Sequence, residues 1–157
     1  MFNKTLRIGT RESQLALWQS QNVANSLQKE GASSTIIKIK TDGDTDLVKP
    51  LYAMGVQGIF TKTLDTALLQ NRIDIAVHSL KDVPTQLPKG IIIAAVLSRG
   101  SVSDVLLRKA DVNNQNSNST IGTGSLRRKA QWLNKYPESE VENLRGNVQT
   151  RIEKLNQ

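Results

Sequence analysis

Residues 73–84 read IDIAVHSLKDVP: an apolar run, Ile73 to Val77, breaks off into a turn carrying a histidine, a lysine and an aspartate before Pro84. A short apolar run bounded by turn residues is the pattern of a buried strand, and this one follows a helical pattern in which Phe60, Leu64, Ala67 and Leu68 share one face and Asn71 ends the element. Strand and helix alternate on either side of it. Thr5 to Thr10 reads as a strand, Ser13 as the N-cap of a helix running to about Glu30 with Gly31 as its stop, and Ile36 to Thr41 and Ile91 to Val96 as further strands. Such alternation predicts an α/β fold with a mainly parallel sheet, whose ligands bind at the carboxyl ends of the strands.

The pattern resets around Ser98 to Ser103, and Val105 to Leu107 opens a second series: a strand at Thr120 and Ile121, a helix with Leu126, Ala130 and Leu133, a strand near Val141 to Leu144, and a helix with Val148, Ile152 and Leu155. We therefore divide the chain at 98/99. A second part with so few elements has a thin core, near the size at which folding alone is marginal. Two segments stand apart. Residues 42–58 hold three aspartates, three glycines and Pro50 and read as a long flexible loop over a site, and NNQNSNS at 113–119 is a short polar low-complexity loop.

Composition narrows the function classes. The chain of 157 residues is 38% hydrophobic and 22% charged, as soluble globular proteins are, and no apolar stretch approaches the roughly 20 residues that span a bilayer. With no cysteine and no signal-type apolar core at MFNKTLRIGT, neither a disulfide framework nor secretion is indicated, and a cytoplasmic location is expected. The net charge of +7 divides into +3 for residues 1–98 (11 basic against 8 acidic) and +4 for residues 99–157 (10 against 6). Only 4% of residues are aromatic, which leaves little for base stacking, so the excess of cations points to a small anionic ligand rather than nucleic acid.

Three turns carry that charge: HSLKDVP at 78–84, IGTGSLRR at 121–128 and LRGNVQTR at 144–151. Each leaves an apolar run, and the latter two open into helices, where backbone N–H groups collect anions. Arg127 and Arg128 fall in a first helical turn, where the helix dipole disfavours cations unless an anion shares the site. Other motifs have plainer readings. His78, the sole histidine, has no partner motif and is expected to be a packed strand-end residue, with no metal site. DGDTD at 42–46 imitates a calcium loop, but Leu47 stands at the glycine position and Ala53 at the glutamate position. Trp18 and Trp132 lie on helices and read as packing residues, and GTGSLR is neither a GxGxxG nor a P-loop sequence, so no nucleotide is expected.

Together, LRIGTRESQLALWQ, GIFTKTLDTALL, DIAVHSLKDVP, IGTGSLRR and LRGNVQTR resemble, in order and through nearly the whole chain, the N-terminal half of the hydroxymethylbilane synthase (porphobilinogen deaminase) family. The resemblance implies a two-domain, periplasmic-binding-protein-like α/β architecture: residues 1–98 as domain 1 lacking its returning segment, and residues 99–157 as the start of domain 2. A third domain would be absent, along with the cysteine that carries the dipyrromethane cofactor, so a fragment inactive by itself is expected. The family condenses four porphobilinogen molecules head to tail to hydroxymethylbilane, releasing ammonia, in tetrapyrrole (heme) biosynthesis, and the parent is expected to be monomeric.

By the same resemblance Asp82 is the catalytic carboxylate, accepting pyrrole N–H bonds and steadying a cationic carbon; Ser79, Lys81, Thr123, Ser125, Arg127 and Arg128 bind cofactor carboxylates; and Arg11, Ser13, Lys62, Arg145 and Arg151 hold the substrate and growing chain. Guanidinium forks suit that task because they stay charged and pair carboxylates through two hydrogen bonds. Alternatively, Asp82 closes a turn before Val83 and Pro84, Ser13 and Ser125 are plain N-caps, and the arginines are solvated surface charge. The sequence departs from the family at Gln57, where a lysine is common. A hinged two-domain module that binds an organic anion without chemistry shares the alternating pattern; a carboxylate among the cations argues against it, because a pure anion receptor gains nothing from a repulsive charge.

Overall fold

The computed structural model describes residues 4–41, 61–109 and 120–157. The expected loop at 42–58 with Gln57 and the DGDTD motif, Phe60, and the polar loop at 113–119 lie outside the described residues. The chain forms two compact units, the first including the described residues up to Val96 and the second those from Leu97 onward.

The first unit is a three-stranded parallel sheet covered by helices. Strand β1 (Leu6–Thr10) is central, flanked by β2 (Ser34–Lys38) and by β3 (Ile75–Ala76), giving the order β2-β1-β3. Ile8 lies opposite Ile36 on one side and Ile75 on the other. Helix α1 (Gln14–Lys29) starts where expected: the Ser13 hydroxyl accepts the Ala16 N–H at 3.3 Å, and the buried Thr10 hydroxyl donates to the Ala16 carbonyl at 3.1 Å. Gly31 follows the helix with φ +78°, a left-handed conformation that ends helices readily. Helix α2 (Lys62–Leu69) buries Leu64 and Ala67 against Ile73, with Ile37, Ile39, Leu68 and Ala76 packed around them. Ile73 also lies across Gly9, where any Cβ would collide with the isoleucine side chain. Glycine therefore lets the central strand approach its cover.

The second unit is smaller. Strands β4 (Ile121–Gly122) and β5 (Val141–Glu142) pair in parallel, each followed by a helix, α3 (Leu126–Lys135) and α4 (Val148–Asn156). Both helices are capped by side chains, at Ser125 as expected and at Asn147 in addition. The Ser125 hydroxyl accepts the Arg128 N–H at 3.4 Å, and the Asn147 side chain accepts the Thr150 N–H at 3.0 Å and the Thr150 hydroxyl at 3.1 Å.

The structure is thus a mixed α/β fold with parallel sheets. Four expectations are corrected. The run Ile73 to Val77 is strand only at Ile75–Ala76, and Ile91 to Val96 and Val105 to Leu107 form no strand at all. Ile92, Val96 and Val105 are instead 80%, 67% and 79% exposed. Apolar character makes a segment suitable for a sheet, but a strand also needs a neighbour to complete its hydrogen bonds, and these runs have no paired neighbour among the described residues. Trp18 is 63% exposed rather than packed, whereas Trp132 is partly covered and tilts against Tyr136 with ring centroids 4.6 Å apart. Among the described residues no helix is long and apolar enough to cross a membrane, and no group of three or more acidic or imidazole side chains is placed to hold a metal ion.

Candidate functional site

Because β1 and β3 are parallel neighbours, the segments that leave their carboxyl ends emerge at one edge of the sheet. From β1 come Arg11 and Ser13; from β3 come His78, Ser79, Lys81 and Asp82, the last three in or beside a 3-10 turn at Leu80–Asp82. The turn is closed by the Asp82 N–H donating to the Ser79 carbonyl at 2.9 Å. The Ser79 hydroxyl is fixed by Gln19 of α1, donating to its side-chain oxygen at 3.1 Å. Sequence reasoning missed Gln19; a polar residue in the middle of a helix carries no signal of its tertiary partner.

His78 stands among these groups. Burial pushes its pKa down, partly opposed by the charges of Asp65 and Asp82 and reinforced by that of Arg11. Its Nε2 is buried with no hydrogen-bond partner. The lowered pKa favours the neutral imidazole near pH 7. Lys81 and Lys62 are exposed, Lys62 being the first residue of α2, and Ser13 is committed to capping α1. Away from this edge, Asp74 takes Arg7 Nε at 2.9 Å, Arg7 Nη2 at 3.0 Å, the Arg7 N–H at 2.8 Å and Lys4 Nζ at 2.7 Å. Those hydrogen bonds hold the Asp74 carboxyl far below the usual carboxylate range, and the group ties β1 to the residues before β3.

The second unit repeats the arrangement at the carboxyl ends of β4 and β5. Thr123, Gly124, Ser125, Leu126, Lys129, Val141, Glu142 and Asn143 line a shallow hollow of about 160 Å³. Thr123 is anchored by its N–H to the Glu142 carbonyl at 2.9 Å, and its hydroxyl accepts the Ser125 N–H at 3.2 Å. Gly124 lies so close to the Leu144 carbonyl oxygen that a Cβ would stand 3.1 Å from it, so the two turns touch backbone to backbone. Cations lie close by. Arg145 is 5% exposed, and Arg151 donates from Nε to the Gly146 carbonyl at 2.8 Å. Burial, then the charges of Arg128 and Arg145, push the Arg151 pKa down.

Arg127 and Arg128 project from the first turn of α3 and share one carboxylate, that of Asp104. Arg127 Nη2 donates to Oδ2 at 2.8 Å, while Arg128 Nε and Nη2 reach Oδ1 at 3.0 and 2.8 Å. Arg127 Nη1 is taken by Gln131 at 2.8 Å. The hydrogen bonds from Arg127 and then Arg128 lower the Asp104 pKa. Asp104 was not foreseen; in SVSD it looks like part of a polar connector, and only the folded chain shows what it meets.

The family model described as "Porphobilinogen deaminase, dipyromethane cofactor binding domain" matches residues 6–157. The chain belongs to the porphobilinogen deaminase family. It is 49% identical over 159 aligned residues to a chloroplastic porphobilinogen deaminase of Oryza sativa subsp. japonica, covering 96% of this chain and 44% of the relative. Against a probable porphobilinogen deaminase of Methanocaldococcus jannaschii the identity is 49% (96% of this chain, 51% of the relative), and against the enzyme of Acidithiobacillus ferrooxidans 43% (98% and 51%). The chain spans about half the length of the curated relatives it matches. In this chain the Arg127–Arg128 pair already holds one carboxylate, that of Asp104, through charge-assisted hydrogen bonds.

Proposed function

We propose that this chain serves the head-to-tail condensation of four porphobilinogen molecules to hydroxymethylbilane, with release of ammonia, in tetrapyrrole biosynthesis. The observation that carries the reading is the grip of Arg127 and Arg128 on a carboxylate, since each porphobilinogen unit presents two such groups and the growing chain accumulates them. In this reading Ser79, Lys81, Thr123, Ser125, Arg127 and Arg128 hold the carboxylates of dipyrromethane, and Arg11, Ser13, Lys62, Arg145 and Arg151 those of the incoming and elongating pyrroles. The dipyrromethane, when bound, supplies the pyrrole carbon on which the first addition takes place. Without a cysteine the chain provides no thiol for its attachment, and its part is to bind and orient.

Asp82 is proposed as the catalytic carboxylate. It follows β3 at the edge where the parallel strands end, its charge reaches His78, and it can accept pyrrole N–H bonds, offset developing positive charge and pass a proton. Ser13 and Ser125 are occupied as helix caps, so they can contribute to a ligand only through the lone pairs the caps leave open.

The finer architecture is part of the proposal: residues 1–98 as domain 1 without its returning segment, residues 99–157 as the opening of domain 2, arranged as in periplasmic binding proteins. Parallel strands alternating with helices in both units support it. A monomeric parent in the cytoplasm, binding neither nucleic acid nor membrane, completes the reading.

The test is formation of hydroxymethylbilane from porphobilinogen by an enzyme that carries these 157 residues as its first half. Asp82→Ala is expected to lower turnover by at least ~10²-fold with the fold retained, the scale of a lost proton-transfer or charge-stabilising group. Unchanged turnover in that variant removes Asp82 from the mechanism. Tight binding of porphobilinogen with no ammonia released by the unaltered enzyme favours the anion-binding module instead.

A further inference from the structure

Arg127 and Arg128 occupy the first turn of α3, where the unsatisfied N–H groups already make the surroundings positive. Two guanidinium groups placed there are favoured by a nearby anion whether or not a ligand is bound. The structure supplies one from within the chain: both oxygens of Asp104 are engaged, Oδ2 by Arg127 and Oδ1 by Arg128. The donors that face Asp104 are the same donors that a bound carboxylate would use, and the fourth outward donor, Arg127 Nη1, is held by Gln131.

We propose that Asp104 is an internal placeholder, an autoinhibitory carboxylate that a ligand carboxylate must displace, so that anion binding to the Arg127–Arg128 pair is an exchange rather than an addition. The proposal rests on the reading above that this pair takes ligand carboxylates. Three observations support exchange over a permanent tie. The Asp104 side chain is 38% exposed and those of Arg127 and Arg128 are 58% and 49% exposed, so water can enter as the contact opens. Residues 97–109 contain no helix or strand, so releasing Asp104 breaks no ladder of backbone hydrogen bonds. Val102 and Val105 on either side are 74% and 79% exposed, so no buried apolar anchor beside Asp104 holds it in place.

Exchange has a consequence that simple addition lacks. A ligand that takes the arginines releases Asp104, and the segment around it should loosen as the ligand binds. Because apparent affinity falls with the fraction of arginines held by Asp104, any change that weakens the Asp104 contact must strengthen ligand binding, by at most the same factor.

The experiment titrates the 157-residue chain with citrate as a polycarboxylate probe, following the Nε–H resonances of Arg127 and Arg128 together with backbone amide relaxation at 102–106. Asp104→Asn keeps the shape and removes the charge; it is expected to tighten citrate binding about three- to five-fold, the range set by an exposed ion pair acting as competitor. Asp104→Glu, which keeps the carboxylate, should bind close to the unaltered chain. In the unaltered chain citrate should lower the backbone order at 102–106, and in Asp104→Asn it should not. Unchanged or weaker citrate binding in Asp104→Asn overturns the placeholder. The Arg127→Gln, Arg128→Gln double variant separates the two readings. If it loses citrate binding while Asp104→Asn gains nothing, exchange alone fails; if it binds citrate as well as the unaltered chain, the assignment of the pair as the carboxylate site fails, and the placeholder with it.

Discussion

Among the described residues, the buried apolar side chains Ile8, Ala16, Ala32, Leu64, Ala67 and Ile73 all belong to the first unit, whereas the buried positions of the second are Ser139 and Arg145. The first unit is organised by exclusion of water from a small packed centre, which sets the parallel strands and hence the edge where Arg11 and Asp82 emerge. The second is organised by hydrogen bonds of the backbone, by helix caps, and by cations with their partners. A buried guanidinium is costly unless hydrogen-bonded, so Arg145 obliges its surroundings to remain polar. The difference teaches that apolar packing is divided unevenly between the units: the first is held by a buried apolar centre, the second by polar contacts.

The comparison can be broken most directly by truncating one leucine in each unit. Leu64→Ala removes a fully buried side chain from the first unit and should cost about 2–5 kcal/mol in denaturant unfolding. Leu126→Ala, at a residue 58% exposed in the second, should cost under ~0.5 kcal/mol. Equal effects would mean that the second unit has an apolar centre after all.

Glycine sharpens the contrast at a smaller scale. Gly146 has φ +111°, and a Cβ there would lie 2.8 Å from Thr150 Cγ2 and 2.9 Å from Thr150 Cβ, so Gly146→Ala should destabilise the second unit by about 1–3 kcal/mol and disturb the cap of α4. Gly31, with φ +78° and open space around it, should tolerate alanine at about 1 kcal/mol or less, read from the same unfolding curves.

The smallest expected effect is a pH dependence confined to the first unit. The His78 pKa is lowered in the folded state, so the unfolded chain binds the proton more readily. The stability this gives is present above the unfolded value of about 6.5 and is lost as pH falls through the folded one. Thermal unfolding followed from pH 7.5 down to 5 should show a declining Tm that His78→Gln flattens. A Tm that rises on acidification would reverse the assignment of a neutral imidazole beside Asp82.

Local chemistry accounts for what was readable in the chain. Ser13, Ser125, Gly31 and Asn71 mark helix ends because caps and left-handed residues act over three or four positions, and these were found where the sequence put them. The three basic turns likewise follow strands, since a parallel strand declares itself by an apolar run and a turn. Site geometry was less legible. Ser79 meets Gln19 across 60 positions, and Arg127 and Arg128 meet Asp104 across 23 and 24; no periodicity extends that far.

By itself, then, the sequence determined the succession of helices and turns, the cationic character of the second unit and membership of a family whose motifs it carries in order. Only the tertiary structure decided which apolar runs became strands and which carboxylate the arginine pair holds. Both outcomes depend on a partner supplied from elsewhere in the chain: a strand on a neighbour that completes its hydrogen bonds, and a guanidinium on whichever anion the fold brings within about 3 Å.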